Sequence, residues 1–210
     1  TAYAKSRHDY ISGLYNSKLN GAGKGGWWMT EKLFQDGDKK NDPDHPWLEF
    51  QKWSYSMEHL GKEIYECMDG YCSAYTYWYL KRYYGMIADN DAERNAVTTG
   101  QPTNNGYILS HFAKYASNMD RIKVQSGDPE VLITAYMNTE ITEITLVLLN
   151  MKNSNFNAKF SMPYKVKNVN AIETTENTKM TPSKVNLDQD GVASVYLSAK
   201  SIVSIRLILK

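Results

Sequence analysis

Glu31 closes a short apolar run, Trp27-Trp28-Met29-Thr30, and so stands where a buried strand meets a polar loop. A carboxylate at a strand exit beside aromatic rings can attack an anomeric carbon. With a second carboxylic acid roughly 5 Å away it could cleave a glycosidic bond through a covalent intermediate. A lone Glu after an apolar strand also commonly caps the next helix or faces solvent. The stretch Tyr77 to Tyr84 is the second place where chemistry could sit. It carries Trp78, Arg82 and Tyr84 in the spacing Trp-x-x-x-Arg-x-Tyr. A guanidinium is always charged and can hold a carboxylate through two parallel bonds. The plainer readings are a packed Trp78 and a solvated pair, Lys81 and Arg82.

Other polar clusters carry less. Asp36, Asp38, Asp42 and Asp44 share one loop, but their spacing is not that of an EF-hand, and Lys39 and Lys40 interrupt it. His8, His45, His59 and His111 show no metal-ligand spacing. Neither a Gly-rich phosphate loop nor a Ser-His-Asp arrangement is present in the sequence. No metal and no cofactor is expected. Cys67 and Cys72 flank a turn, Met68-Asp69-Gly70-Tyr71; a local disulfide and two buried thiols both fit.

The elements that must hold these residues follow two regimes. Up to about Ser117, helices mix with short apolar strands. Lys5–Leu19 reads as a loop and a helix, Asn20–Gly26 as a Gly-rich turn, and Trp27–Thr30 as a strand. A polar loop spans Gln35 to His45. Leu48, Phe50, Trp53, Met57, Leu60 and Ile64 recur at helical spacing. Ser73–Leu80 reads as a second strand and Asn105–Ser117 as a helix. This βαβα order predicts parallel strands, and two such units cannot close a barrel alone. From about Met119 the runs are short and rich in β-branched residues: Ile122–Val124, Val131–Met137, Ile144–Leu149, Ala158–Met162, Val166–Glu173, Lys184–Leu187, Val192–Leu197 and Ile202–Leu209. Their spacing predicts an antiparallel sandwich or barrel. The expected domains are 1–118 and 119–210.

Composition sets the outer bounds. The 210 residues carry a formal net charge of +1, so no bulk attraction to nucleic acid or to an anionic membrane is expected. Sixteen Tyr and five Trp stand against five Phe. Rings with a polar handle suit surfaces that are partly apolar and partly wet, as sugar-binding clefts are; filling of β-sheet positions accounts for most of them. No apolar run reaches membrane-spanning length, and no signal peptide is legible. The opening Thr1-Ala2-Tyr3, without an initiator Met, is what a processed or truncated product would show.

The run Gly21-Ala22-Gly23-Lys24-Gly25-Gly26-Trp27-Trp28-Met29-Thr30-Glu31 resembles the nucleophile strand of glycoside hydrolase family 30, notably the bacterial glucuronoxylanases. Ala74-Tyr75-Thr76-Tyr77-Trp78-Tyr79-Leu80-Lys81-Arg82-Tyr83-Tyr84-Gly85 resembles the family's last barrel strand and the loop after it. Ser110-His111-Phe112-Ala113-Lys114-Tyr115 is similar to its final helix, which leads into an attached β-sandwich. All three stand in the family's order across essentially the whole chain.

The resemblance implies a fold class of α/β plus all-β: the last βα units of a (β/α)8 TIM barrel, followed by an antiparallel β-sandwich side domain. It implies a secreted, retaining endo-β-1,4-xylanase acting on glucuronoxylan. Glu31 would be the nucleophile, in an environment of hydrogen-bond donors or positive charge. Trp78 would stack beside the sugar. Arg82 would pair with the carboxylate of a methylglucuronic acid branch, and Tyr84 would hydrogen-bond the same branch. Tyr3 would match a tyrosine at the end of the preceding strand. The family's loop contacts after the nucleophile have no counterpart in Gln35–Asp44. The acid/base glutamate lies upstream of this chain in the family, so the implied partners are xylan and the N-terminal portion of the enzyme. An apolar surface should be exposed where the missing strands belong. The alternatives are a hydrolase of the same family acting on another β-glycan and a non-catalytic carbohydrate-binding β-sandwich. All five Trp precede residue 79, which leaves such a sandwich without a Trp platform.

Overall fold

The computed structural model describes residues 27–33, 51–91, 94–188 and 192–210. Tyr3, the segment 5–19, the four-Asp loop, Leu48 and Phe50 lie outside them. The chain divides into two compact units, Thr1–Gly106 and Tyr107–Lys210. This division precedes the change of sequence pattern near 118, because the helix residues from Tyr107 onward group with the β-rich part.

In the first unit, β1 (Trp27–Lys32) and β2 (Cys72–Tyr77) pair in parallel, as the βαβ order predicts. Their connection contains α1 (Trp53–Ser56), a π-helical turn (Met57–Gly61) and α2 (Lys62–Asp69). Trp53, Met57, Leu60, Ile64 and Cys67 form its inward stripe and are at most 5% exposed. Burying each large apolar side chain contributes about 1.5–3 kcal/mol. Gly70 ends α2, and the Trp27 indole N–H donates to its carbonyl at 2.7 Å, tying the start of β1 to the helix end.

β2 stops at Tyr77 rather than running to Leu80. Beyond it the Leu80 carbonyl accepts the amides of Met86 and Ile87, so the chain folds back as a loop. α3 (Asn104–Tyr115) follows. Gly106 lies against the loop so closely that a Cβ there would run into the Met86 carbonyl oxygen. Helix propensity alone favours Ala over Gly by about 1 kcal/mol. The contact reverses the sign: Gly106→Ala is expected to destabilise the protein by about 1–3 kcal/mol, read as a lower urea midpoint with an unchanged slope.

The second unit contains β3 (Asp120–Ile122), β4 (Val131–Met137), β5 (Glu143–Asn150), β6 (Phe156–Phe160), β7 (Val166–Thr174), β8 (Thr181–Ser183), β9 (Val185–Leu187), β10 (Ala193–Leu197) and β11 (Ser201–Leu209). They form a six-stranded sheet, β3-β4-β5-β11-β7-β8, and a three-stranded sheet, β6-β10-β9. Every pairing in both is antiparallel. β8 has no apolar run; it is a three-residue edge strand with Pro182 at its centre, a position where a missing N–H is tolerated.

Period-2 alternation sends Val131, Ile133 and Ala135 of β4, Ile144, Leu146 and Leu148 of β5, and Val203, Ile205 and Leu207 of β11 to one face. There they meet Ala158, Val195 and Leu197 of the small sheet in one core. Two antiparallel sheets over a shared core is the layout of a β-sandwich. On the opposite face of β11, Ile202 and Ser204 are buried and Arg206 is exposed, and His111 of α3 bonds Ser204 there. Its two ring nitrogens lie 2.8 Å from the hydroxyls of Ser204 on β11 and Thr174 on β7. Burial holds the His111 pKa down at about 3.

Candidate active site

β1 carries its candidate carboxylate through an irregularity. Three steps along β1, from Met29 to Lys32, match two along β2, from Tyr75 to Tyr77. The extra residue is a bulge, a device that re-aims side chains at strand ends. Met29 and Lys32 both turn toward the connecting helix. Met29 packs on Cys67, and the Lys32 ammonium pairs with Glu63 at 2.8 Å. Thr30 and Glu31, between them, are both exposed. Simple alternation would have put only one of them outside. The bulge is legible only in the pairing register, so the sequence holds no signal for it.

β2 ends level with β1. The Trp78 amide donates to the Lys32 carbonyl at 2.7 Å. Glu31 and Trp78 therefore stand at the C-terminal ends of two adjacent parallel strands, the end where α/β folds place their ligands. Trp78 is 42% exposed, Leu80 67% and Trp28, farther back on β1, 68%. The peptide between Trp78 and Tyr79 is cis.

Past Trp78 the loop assembles an aromatic seat for a cation. The Trp78 and Tyr79 rings lie 4.2 Å apart. The Arg82 guanidinium sits 5.5 Å from the Tyr79 ring and 5.9 Å from the Tyr84 ring. Tyr84 is 4% exposed, so its ring is a wall of the loop, while Arg82 is exposed. The Tyr84 hydroxyl stands beside the guanidinium. That contact holds the guanidinium pKa above its ordinary value. Among the described residues no carboxylate forms an ion pair with Arg82. The arrangement can stack a flat apolar face on Trp78 and receive an anion at Arg82.

Residues without charge hold the seat in place. The Tyr77 hydroxyl donates to the Tyr84 carbonyl at 2.9 Å, and the Asn105 amide donates to the same oxygen at 3.0 Å. The Thr103 hydroxyl donates to the Gly85 carbonyl at 2.6 Å. A Cβ on Gly85 would lie 2.7 Å from the Tyr79 carbonyl. Tyr77, Thr103 and Asn105 escape a sequence reading because an uncharged residue that bonds a remote carbonyl has no local pattern.

Tyr3 and the four-Asp loop lie outside the described residues, so Glu31, Trp78, Arg82 and Tyr84 are the expected site residues that can be placed. Of these, Trp78, Arg82 and Tyr84 meet through Tyr79; Glu31 makes no side-chain contact with them and is linked only by the backbone bond from Trp78 to its neighbour Lys32. Among the described residues no group of three His, Cys, Asp or Glu could hold a metal ion, and no helix is long and apolar enough to cross a membrane. The unit 107–210 contains a cavity of about 830 Å³ lined by Val124, Val131, Ile133, Phe156 and Phe160 among others. Lys123, Gln125, Asp128 and Lys159 line it as well, so the lining is mixed polar and apolar.

No protein-family model matches the chain. In sequence it is similar to glucuronoxylanase XynC of Bacillus subtilis, at 26% identity over 147 residues, which is 68% of this chain and 30% of the relative. The same protein from strain 168 aligns at 26% over 180 residues, 83% of this chain and 37% of the relative. The chain thus spans about a third of the length of these relatives. In structure it is similar to a family 30 endoxylanase of Clostridium papyrosolvens, with a TM-score of 0.69, 22% identity, and coverage of 94% of this chain and 46% of that one. A family 30 subfamily 8 xylanase of Clostridium acetobutylicum gives a TM-score of 0.68 at 21% identity, covering 86% and 42%. In sequence the chain is thus similar to part of a glucuronoxylanase, and in fold to part of the family 30 xylanases.

Proposed function

We propose that the chain is the C-terminal portion of a secreted, retaining glycoside hydrolase that cleaves β-1,4-xylan, guided by a glucuronic acid branch. The observation that carries this reading is the shared strand end: Glu31 is one of the last two residues of β1, and Trp78 and the Arg82–Tyr84 seat follow the end of β2. On this reading β1 and β2 are the last strands of a (β/α)8 barrel. The exposed Trp28 then faces the space that earlier strands fill.

The chemistry follows from the residues. The Glu31 carboxylate attacks the anomeric carbon while a second carboxylic acid, from the portion of the enzyme outside this chain, protonates the leaving oxygen. Water then hydrolyses the glycosyl ester with that second group as base. Trp78 offers its exposed face to the C–H side of a xylose ring. Arg82, prealigned by Tyr79 and Tyr84, binds the branch carboxylate, and the Tyr84 hydroxyl can donate to the same branch. The working partners are xylan and the N-terminal portion.

Arg82→Ala in the assembled enzyme separates this from a family 30 enzyme acting on another β-glycan. A charge-assisted pair contributes about 1.5–3 kcal/mol, so kcat/KM on glucuronoxylan is expected to fall about 10- to 100-fold. Activity on unbranched xylan should hold, and wild-type products should each carry one branch at a fixed position by mass. Equal loss on both substrates would remove the branch from the mechanism.

A further inference from the structure

Cys67 lies in the last turn of α2 and Cys72 opens β2. The two are not joined as a disulfide, and both are buried in one cluster with Met29 of β1. The chain between them reverses at Gly70 and at Tyr71, whose φ of 60 is unusual for a side-chain-bearing residue. This turn returns Cys72 to the same buried cluster as Cys67, with Met29 packed against both. The Cys72 thiol donates to the Ala74 carbonyl at 3.0 Å.

We infer that Cys67 and Cys72 form a redox modification site: a dithiol that closes to an intramolecular disulfide by exchange with a small disulfide. A thiolate is the attacking species, and it attacks best when its pKa is near ambient pH. The hydrogen bond from Cys67, with backbone contacts at Met29 and Ala74, outweighs burial and draws Cys72 down to about 7. Cys72 therefore attacks first. Its thiolate forms a bond to one sulfur of RS–SR, and the other leaves as RS⁻. Cys67 then gives up its proton and attacks the Cys72 sulfur, expelling the second RS⁻. The protein loses two electrons and two protons, and the small disulfide becomes two thiols. The new bond pins the α2–β2 corner beneath Met29, two residues before Glu31. No part of this depends on the proposed substrate.

The test treats the whole folded chain, reduced and then freed of reductant, with 2-hydroxyethyl disulfide at pH 8. The expected product is lighter by two hydrogens, with Cys67 and Cys72 in one linked peptide. Its thermal midpoint should rise by several degrees and fall back on reduction. Cys67→Ser should stop at a mixed disulfide on Cys72. An unchanged mass in the folded state, with bridging only after unfolding in urea, would overturn the inference. So would a lasting adduct on wild-type Cys72 without ring closure.

Discussion

Replacing Glu31 by Gln in the assembled enzyme is expected to lower kcat/KM on glucuronoxylan by at least about 10³-fold, with KM little changed. Gln keeps the size of the side chain but cannot form the glycosyl ester, so the covalent route closes. Glu31 is exposed on a bulged strand end and has no part in the Met29–Cys67 packing or the Lys32–Glu63 pair. Stability should therefore shift by no more than about 0.5 kcal/mol, the usual range for surface substitutions. This separates a catalytic loss from a folding loss. A further readout identifies the role. Azide should restore turnover to Glu31→Ala and give a glycosyl azide of inverted configuration, because a small nucleophile enters the vacated face. Retention of more than about a tenth of wild-type activity by Glu31→Gln would remove it from the nucleophile role. Rescue giving a product of retained configuration would assign it to the acid/base role instead.

Below neutral pH the protein should lose stability through His111. Its ordinary pKa of 6.5 falls to about 3 in the fold because burial penalises the imidazolium. Between these values the unfolded chain binds a proton that the folded chain does not. Stability therefore rises with pH across that window, is complete above about 6.5, and is lost as pH falls toward 3. The slope is about 1.4 kcal/mol per pH unit. Urea unfolding of wild type and His111→Gln isolates it from the carboxylates. The advantage of wild type over the variant should shrink by roughly 3 kcal/mol between pH 7 and pH 4. A difference that stays flat over this range would mean that His111 is charged in the fold or reaches solvent on opening. Neutral imidazole has one donor and one acceptor, and the hydroxyls of Ser204 and Thr174 can serve either. Protonation would bury a charge with two hydroxyls for company, which is costly.

The elements most visible in the sequence were those whose faces differ. β4 was read with its observed bounds, Val131–Met137, because β-branched runs between turns are a strong local signal. The stripe Trp53, Met57, Leu60 and Ile64 was equally plain, since helical spacing and burial coincide there. β8 escapes a sequence reading because a polar, three-residue edge strand has no hydrophobic pattern. The far end of β2 was overrun because Trp78, Tyr79 and Leu80 are as apolar as a strand; the Leu80 carbonyl, by accepting Met86 and Ile87, decides that the chain turns.

For the candidate site the division is similar. Residue types and spacing along the chain marked Glu31, Trp78, Arg82 and Tyr84, because each brings its own chemistry wherever it sits. Tertiary structure alone decided how they are presented. The bulge that exposes both Thr30 and Glu31 is a mismatch between two strands 40 residues apart in sequence, so neither strand encodes it by itself. The seat of Arg82 depends on Tyr77 and Asn105 reaching the Tyr84 carbonyl, one within the loop's own strand and one from a later helix. A side chain's chemistry is a local property. Its direction and its partners are set by contacts that exist only once distant segments have met.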